Sequence, residues 1–258
     1  MSIVESPPAA AVARAPFVGA EWMGAPRGFA AFCTSRSFDD GVKMPWREAA
    51  PKIAELLRRR GAAPPRPLAF AAQVHGTTIA EVTPAMDAFL SLPECDGLLA
   101  RGVGANLVIR TADCLPVVVV DPVTGLFGAC HAGWRGSRAN ILGALIAGLS
   151  ARGADPARLT GWIGPAICSE AYEVSEELAR DFDSAWGHLG PFTDGRLLDL
   201  WELNRLQSVA AGMRPGALAD SGLCTVRHSH LFHSHRRQGS VRGHQFTVCG
   251  WLNAPREE

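Results

Sequence analysis

The sequence lacks an excess of charge of either sign. Its 258 residues include 25 Lys and Arg against 25 Asp and Glu, and 47% of the residues are hydrophobic. This balance is atypical of a nucleic-acid-binding protein, because phosphate binding requires a clear basic excess. The hydrophobic content also excludes an intrinsically disordered composition. We therefore expect a globular protein without a nucleic-acid partner.

Long apolar runs are also missing. Crossing a bilayer takes about 20 consecutive apolar residues, whereas the longest candidate here, residues 117–120, has the length of a strand. Residues 1–18 are rich in Ala and Pro but lack the basic start and apolar block of a signal peptide. We expect a poorly ordered tail at 1–26 and a single domain at 27–258, with no membrane partner.

The seven cysteines do not form a disulfide framework. Their number is odd, and they show no local metal-binding spacing of the CxxC kind. Together with the missing export signal, this favours reduced thiols in a cytoplasmic protein.

Strands and helices interleave along the chain without a strict βαβ pattern. The predicted strands are 29–34, 68–74, 78–82, 107–109, 117–120, 126–131 and 159–163. The predicted helices are 47–60, one that begins at Ser137, 175–186 and 198–211, and residues 225–251 alternate like a strand. This order favours a mixed sheet, or two sheets, with outer helices in one domain.

A turn sequence from Asp121 to Gly125 separates the valine run from a second apolar stretch. If the two stretches pair as an antiparallel hairpin in which Asp121 faces Leu126, then His131 faces Pro116. Cys114 then lies diagonally from His131, at about 7–8 Å between Cα atoms. A slip of one residue would put the two side chains on opposite faces. The sequence therefore permits a contact between Cys114 and His131.

The atom types of this pair suggest two kinds of chemistry. A thiolate and an imidazole suit zinc or copper, and they also form nucleophile–base pairs. His75 has a similar position, at a predicted strand end before Gly76. With Cys114 and His131 it would leave a fourth metal position open, as in catalytic sites. Spacing alone favours a buried thiol and a satisfied core histidine over a metal site or a catalytic pair.

These three residues lie within three longer strings. The strings are Gln73-Val74-His75-Gly76, Thr111-Ala112-Asp113-Cys114-Leu115-Pro116 and His131-Ala132-Gly133-Trp134-Arg135-Gly136. Their combination resembles the YfiH/YlmD-like family, once called the multicopper polyphenol oxidase or laccase family. Further matches, within 28–251, are Asp96-Gly97-Leu98, Ile163-Gly164-Pro165-Ala166-Ile167, Tyr172-Glu173-Val174 and Ser234-His235-Arg236-Arg237.

The resemblance implies a fold and a site. The fold is α+β, or mixed α/β: a single-domain, four-layer α/β/β/α sandwich of two mixed sheets with outer helices. The site is a metal centre in which His75, Cys114 and His131 are both the ligands and the catalytic residues. Zinc is the expected metal, and copper is the alternative.

The resemblance also implies an enzyme. Family members are regarded mainly as purine nucleoside phosphorylases that also deaminate adenosine. We therefore expect metal-dependent cleavage of adenosine, inosine, guanosine or methylthioadenosine by phosphate, which releases the base and ribose 1-phosphate. The partners would be a small nucleoside and phosphate, and we expect a monomer.

The N-terminal part departs from the family pattern. Members usually show a Thr-Arg-x-Gly-Gly-Val-Ser string followed by a Leu-Asn-Leu string. Here residues 34–42 are a degraded version of the first string, and the second is absent. Arg36 is the substrate-binding residue that we carry over from it.

Three further arginines are candidates for phosphate binding. Arg135 precedes a predicted helix start, where free N–H groups and a guanidinium would suit an anion, although an ordinary surface residue is an equal alternative. Arg236 and Arg237 form a second candidate clamp. On a strand these two would face opposite ways, so one of them would be a structural ion-pair partner.

Deamination normally also requires a carboxylate that moves protons. Asp113 and Glu173 both qualify, and the sequence does not choose between them. Four histidines form another group, for which a surface or substrate-proximal role is expected rather than a second metal site. They are His228, His230, His233 and His235.

Three other functions are compatible with parts of the sequence. A copper polyphenol oxidase is compatible with soft ligands, but laccase chemistry needs several coppers and many histidines. A Cys114–His131 amidase that edits peptidoglycan precursors is compatible with a nucleophile–base pair. A non-catalytic metal-binding protein is the third.

Overall fold

The structure is a computed structural model that describes residues 18–39, 44–61, 67–239 and 243–252. Its strands in these ranges are β1 (Val18–Glu21), β2 (Phe29–Thr34), β3 (Leu68–Ala71), β4 (Ile79–Glu81), β5 (Phe89–Leu92), β6 (Gly97–Arg101), β7 (Asn106–Thr111), β8 (Leu115–Val120), β9 (Leu126–Ala132), β10 (Thr160–Ile163), β11 (Thr193–Asp194), β12 (Leu197–Leu198), β13 (Leu218–Asp220) and β14 (Gln245–Trp251). Its helices are α1 (Trp46–Arg59), α2 (Trp134–Arg138), α3 (Ile141–Ser150), α4 (Glu176–Trp186), α5 (Leu200–Ala210) and α6 (His235–Gln238). Among these described helices, none has the length and apolar character to cross a bilayer.

Two sheets contain most of these strands. The first sheet has the order β1-β2-β14-β7-β3-β5, and the second has the order β13-β10-β8-β9-β6-β4. Each combines parallel and antiparallel pairs, so both are mixed sheets. Strands β11 and β12 form a separate short pair.

The valine run of β8 is buried on both faces. Val118 and Val120 belong to the core between the two sheets, whereas Val117 and Val119 pack in the core shared with α3 and α5. Alternate side chains of a strand point to opposite faces, so a strand between two apolar layers is apolar throughout. This burial explains why the run carries no polar residue.

Helices cover the outer face of each sheet. On the first sheet, Ile53 and Leu57 of α1 pack in one core with Phe70 and Phe246. On the second sheet, α3 buries five apolar side chains, which are Ile141, Leu142, Leu145, Ile146 and Leu149. The predicted four-layer α/β/β/α single domain is therefore confirmed.

The predicted hairpin register is also confirmed. Pro116 faces His131, and Val120 faces Phe127 across β8 and β9. The carboxylate of Asp121 holds the turn by accepting a hydrogen bond from the backbone N–H of Val123 at 2.9 Å. This register brings the chain entering β8 close to the end of β9.

The predicted tail is wrong for residues 18–26. Residues 18–21 form β1, an edge strand that pairs antiparallel with β2, and Trp22 after it is buried. Four residues carry too little pattern to be recognised as a strand, and their pairing partner stabilises them here. Residues 1–17 lie outside the described part of the chain.

The helix predicted to begin at Ser137 is divided into two. The short helix α2 ends before Asn140, which has a φ of 60° and caps α3 by accepting a hydrogen bond from the N–H of Gly143. Ser137 is buried, and its hydroxyl accepts a hydrogen bond from Asn204 of α5 at 3.0 Å. Ser137 therefore links α2 to α5 and does not begin a helix.

The strand-like prediction for residues 225–251 holds only for β14. In the described residues before it, turns are followed by the short helix α6. Ser234 caps this helix by accepting a hydrogen bond from the N–H of Arg237. Three polar residues here, Thr225, His233 and Ser234, make long-range hydrogen bonds to Asp113 or Asp39, which local periodicity does not reveal.

Candidate metal centre and active site

Three side chains from separate parts of the chain converge at one end of the sheets. His75 lies in the loop after β3, Cys114 immediately precedes β8, and His131 lies in β9. One nitrogen of each imidazole and the Cys114 sulfur all lie within 4.8 Å of one another. In the part of the chain that is described, this is the one group of His, Cys or carboxylate side chains close enough to share a metal ion.

Asp96 organises this group. Its Oδ1 accepts hydrogen bonds from the N–H of His75 at 3.0 Å and from Nδ1 of His131 at 2.8 Å. Its Oδ2 accepts hydrogen bonds from the N–H groups of Val74 and Gly76 at 3.0 and 2.7 Å. His75 has a φ of 64°, a left-handed conformation that these bonds stabilise. The same carboxylate thus fixes the His75 loop and the His131 ring.

The electrostatics of Asp96 and His131 follow from burial and hydrogen bonding. Burial disfavours the charged carboxylate, but the hydrogen bonds from His131, Gly76 and Val74 hold the pKa of Asp96 below its ordinary value. Burial likewise disfavours a charged imidazole, but Asp96 and Cys114 outweigh it and raise the pKa of His131 to about 9.

The thiol of Cys114 ionises unusually easily for a buried group. Burial opposes ionisation, yet hydrogen bonds from His131 and His75 lower the pKa of Cys114 to about 7. A thiolate is the form of cysteine that binds metals. A large fraction of Cys114 is therefore in this metal-binding thiolate form at neutral pH.

The space between the three side chains fits a metal ion. A Cβ atom at Gly133 would lie 2.9 Å from the Cys114 sulfur, 3.5 Å from Cδ2 of His75 and 3.6 Å from Cε1 of His131. The glycine keeps this space clear. Because Asp96 binds Nδ1 of His131, Nε2 is left for the metal. Two nitrogens and one sulfur with an open position suit zinc, and they also admit copper.

A cavity of about 660 Å³ borders the three ligands. Its remaining wall is formed mainly by polar and aromatic residues, namely Gln73, Arg110, Thr111, Ala112, Asp113, Trp134, Arg135, Ile167, Tyr172, His235, Arg236 and His244. Its volume lies within the range of small-molecule sites.

Two of the four predicted phosphate-binding arginines line this cavity. The guanidinium of Arg135 lies 4.1 Å from the ring centre of Trp134. The guanidinium of Arg236 lies 5.1 Å from the ring centre of Tyr172 and donates to the carbonyl oxygen of Glu173 at 2.9 Å. These contacts place both guanidinium groups beside aromatic rings of the cavity wall.

The other two arginines are not part of the cavity wall. The side chain of Arg36 donates to the carbonyl oxygen of Ser229 at 3.2 Å, so it supports a loop. Arg237 follows Arg236 on the exposed helix α6, and of these two arginines it is Arg236 that lines the cavity. The prediction that Arg236 and Arg237 lie on a strand is wrong, because Ser234 begins the helix α6 there. Neither Arg36 nor Arg237 lines the cavity in this structure.

Asp113 positions the segment that carries Arg236. Its Oδ1 accepts a hydrogen bond from the Thr225 hydroxyl at 2.6 Å. Its Oδ2 accepts hydrogen bonds from the Ser234 hydroxyl at 3.1 Å and from the N–H of Arg236 at 2.6 Å. Asp113 itself is buried with a φ of 88°.

Glu173, the other candidate carboxylate, is exposed and pairs with Arg196 at 3.1 Å. Asp113 is therefore the one of the two that borders the cavity, and both of its oxygens are already engaged.

The four C-terminal histidines have different environments. His235 lines the cavity, while His233 is fully buried and bonds through Nε2 to Asp39 at 2.7 Å. The rings of His228 and His230 lie 6.4 Å apart, and neither lines the cavity. Among the described residues, these four histidines do not come together as a group that could share a metal ion.

Sequence reasoning missed Arg110, Gln73 and the role of Asp96. The Gln73 side chain makes two hydrogen bonds to the backbone of Arg110. Its Oε1 accepts a hydrogen bond from the Arg110 N–H at 2.9 Å, and its Nε2 donates one to the Arg110 carbonyl oxygen at 2.7 Å. Arg110 lies in β7 directly after an apolar run. A charged residue directly after this apolar run was the feature of the sequence that could have identified Arg110.

The fold and the site define a single-domain α/β protein with a candidate catalytic metal centre beside a cationic cavity. A family model described as "Multi-copper polyphenol oxidoreductase laccase" matches residues 47–252. The chain belongs to this family, the YfiH/YlmD-like family.

Related proteins and structures agree with this membership. A Deinococcus radiodurans protein named purine nucleoside phosphorylase is 35% identical over 230 residues, which cover 84% of each chain. A protein from an unknown prokaryote named adenosine deaminase RL5 is 34% identical over 163 residues, or 61% of this chain and 62% of that protein. The crystal structure of YlmD from Geobacillus stearothermophilus has a TM-score of 0.82 at 29% identity and covers 95% of this chain and 99% of its own. The structure of YfiH from Bacillus licheniformis has a TM-score of 0.75 at 29% identity, with 92% and 97% covered.

Proposed function

We propose that this chain is a metal-dependent purine nucleoside phosphorylase that also deaminates adenosine. Its nucleoside substrates are adenosine, inosine, guanosine and methylthioadenosine, and phosphate is the second substrate. The names of its relatives support both activities.

One observation carries the proposal: the ligand group and two arginine side chains share one cavity. His75, Cys114 and His131 border the same space of about 660 Å³ as Arg135 and Arg236. A nucleoside is small enough for a site of this volume. Guanidinium groups suit phosphate because they offer several N–H donors in a planar arrangement.

Phosphorolysis requires that phosphate be held against the sugar. A bond forms between a phosphate oxygen and C1′ of the ribose, and the bond from C1′ to the purine nitrogen breaks. The electron pair of the broken bond goes to the base, which takes up a proton. Arg135 and Arg236 bind the phosphate and offset its charge. Their contacts with Trp134 and Tyr172 limit the geometries that the bound anion can adopt.

Tyr172 offers a hydrogen-bond donor to the base. Burial, with a smaller contribution from the charge on Cys114, raises the pKa of Tyr172 to about 12. The phenol therefore keeps its proton at neutral pH. It is suited to donate to a ring nitrogen of the purine.

His75, Cys114 and His131 would hold zinc, with copper as the alternative metal. When bound, the ion would supply a Lewis acid with an open coordination position, which suits the deamination of adenosine to inosine. Asp96 holds the His131 ring so that Nε2 faces the ligand site. Asp113 acts as a positioning residue, because it fixes the backbone of Arg236.

A product assay with a cysteine variant tests this function. Purified protein with adenosine and phosphate should release adenine and ribose 1-phosphate, and phosphate-independent formation of inosine should report deamination. Cys114→Ala should lose the metal and both activities. Cys130→Ala is the matched control, because Cys130 is buried one residue before His131 but belongs to the core with α3. Full activity in Cys114→Ala would contradict the proposal.

Two other activities have separate readouts in the same assay. Oxygen uptake with a phenol would indicate a copper oxidase, for which the described residues offer one ligand group rather than several. Activity that persists without metal but is lost on thiol alkylation would indicate a Cys114–His131 hydrolase. Either result would replace the proposed function.

A further inference from the structure

Arg110 is a half-buried cation whose guanidinium has no ion-pair or hydrogen-bond partner within the part of the chain that the structure describes. It lies in β7 of the first sheet, whereas Cys114 directly precedes β8 and His131 lies in β9, two strands of the second sheet. Among the described residues, no carboxylate or carbonyl oxygen accepts a hydrogen bond from its guanidinium, and no aromatic ring lies beneath it. Arg135 and Arg236, in contrast, each have an aromatic contact.

Open space surrounds this side chain. Arg110 lines both the main cavity and a second cavity of about 100 Å³ that is bordered by Phe70 and Phe246. Removing a guanidinium from water without a counter-charge is unfavourable for folding. Such an arrangement is expected where a ligand supplies the missing charge.

The position of Arg110 is linked to the candidate metal centre. Gln73 binds its backbone at both the N–H and the carbonyl, and Gln73 is only two residues from His75. The acidic side chain on the cavity wall, Asp113, already accepts three hydrogen bonds. The cavity near Arg110 therefore offers cationic donors, and the one carboxylate in its lining is already engaged in hydrogen bonds.

We infer that Arg110 binds the phosphate group from the first-sheet side of the cavity, as a specificity-determining residue for the phosphate substrate. The inference rests on the proposed function for its choice of anion. It adds a third cation, from a different layer of the fold, to Arg135 and Arg236.

Arg110→Met separates this role from a structural one. Methionine keeps much of the length and removes the charge, so the Kd for inorganic phosphate and the KM for phosphate should rise about 10- to 100-fold, with a smaller change in the KM for the nucleoside. Without phosphate, the Tm of Arg110→Met should equal or exceed that of the wild type, because an unpaired buried charge has been removed. A residue that only supports the fold would lower Tm instead.

Two further variants keep the test decisive. Arg110→Lys retains the charge without the planar donors and should fall between wild type and Arg110→Met in phosphate affinity. Arg180→Met is the control, because Arg180 is 76% exposed on α4 and its removal should change neither Tm nor phosphate affinity.

Calorimetric titration with inorganic phosphate, with unreactive sulfate as a competitor, distinguishes the two proposals. Phosphate binding that depends on Arg110 in a protein that turns over no nucleoside would support the anion site and contradict the proposed function. Nucleoside phosphorolysis with an unchanged phosphate KM and Kd in Arg110→Met would overturn the role of Arg110 alone. A lowered Tm with unchanged phosphate affinity would assign Arg110 to the fold.

Discussion

The substitution Asp96→Asn should weaken the fold and the metal site together. Asparagine keeps the size of the side chain but replaces one acceptor oxygen with an NH₂ donor. Each oxygen of Asp96 accepts two hydrogen bonds, so either orientation of the amide places its NH₂ group against two donors. If that group faces His131, the ring must shift its proton to Nε2 to accept a hydrogen bond, which blocks the atom left for the metal.

The size of the effect follows from these contacts. Two hydrogen bonds to a charged, buried acceptor are lost, at about 1.5–3 kcal/mol each, so the free energy of unfolding should fall by about 3–6 kcal/mol. Loss of a carboxylate that orients a histidine ligand should weaken metal binding by about 10- to 100-fold. The acid stability also changes. The depressed pKa of Asp96 contributes stability that is lost as pH falls through that pKa, and the variant should lack this contribution.

Denaturant unfolding and zinc titration against a competing chelator measure both effects. Asp121→Asn is the matched control, because Asp121 is equally buried and holds the β8–β9 turn and Arg158. It should lower stability while leaving zinc affinity unchanged. Wild-type zinc affinity in Asp96→Asn, or an equal loss in Asp121→Asn, would refute the role given to Asp96.

Three further predictions concern the site. Gly133→Ala should abolish metal binding, because its Cβ would lie 2.9 Å from the Cys114 sulfur, whereas Gly187→Ala, whose nearest contact is 3.9 Å, should bind metal normally in the same titration. Arg236→Gln should raise the phosphate KM about 10-fold or more, but Arg237→Gln should leave it unchanged in initial-rate assays; equal effects would contradict the placement of these side chains. In metal-free protein, alkylation of Cys114 followed by mass spectrometry should accelerate with a midpoint near pH 7, and a midpoint above pH 8.5 would contradict the lowered pKa.

The sequence predicted what depends on local pattern and short connections. The β-branched run, the turn after Asp121 and the two-residue period of strands determine the register that brings Cys114 towards His131. The string around His75 added the third ligand through the family resemblance. These features are encoded within a few residues of each other or within recognisable strings.

Side-chain partners far apart in the chain were not predictable in the same way. Arg36 lies in a degraded family string, yet it binds the carbonyl of Ser229, and nothing local determines that direction. The contact between Asp113 and Ser234 spans 121 positions and turns an apparent strand into a loop and helix. Arg110 acquires its place in the cavity only when the two sheets face each other.

The most direct test of the account is zinc-edge X-ray absorption of the protein loaded with one equivalent of zinc. We predict one bound ion per chain, with one sulfur at about 2.3 Å and two imidazole nitrogens at about 2.0–2.1 Å, and with the sulfur signal lost in Cys114→Ala. A first shell without sulfur, or a sulfur signal that survives in that variant, would contradict it.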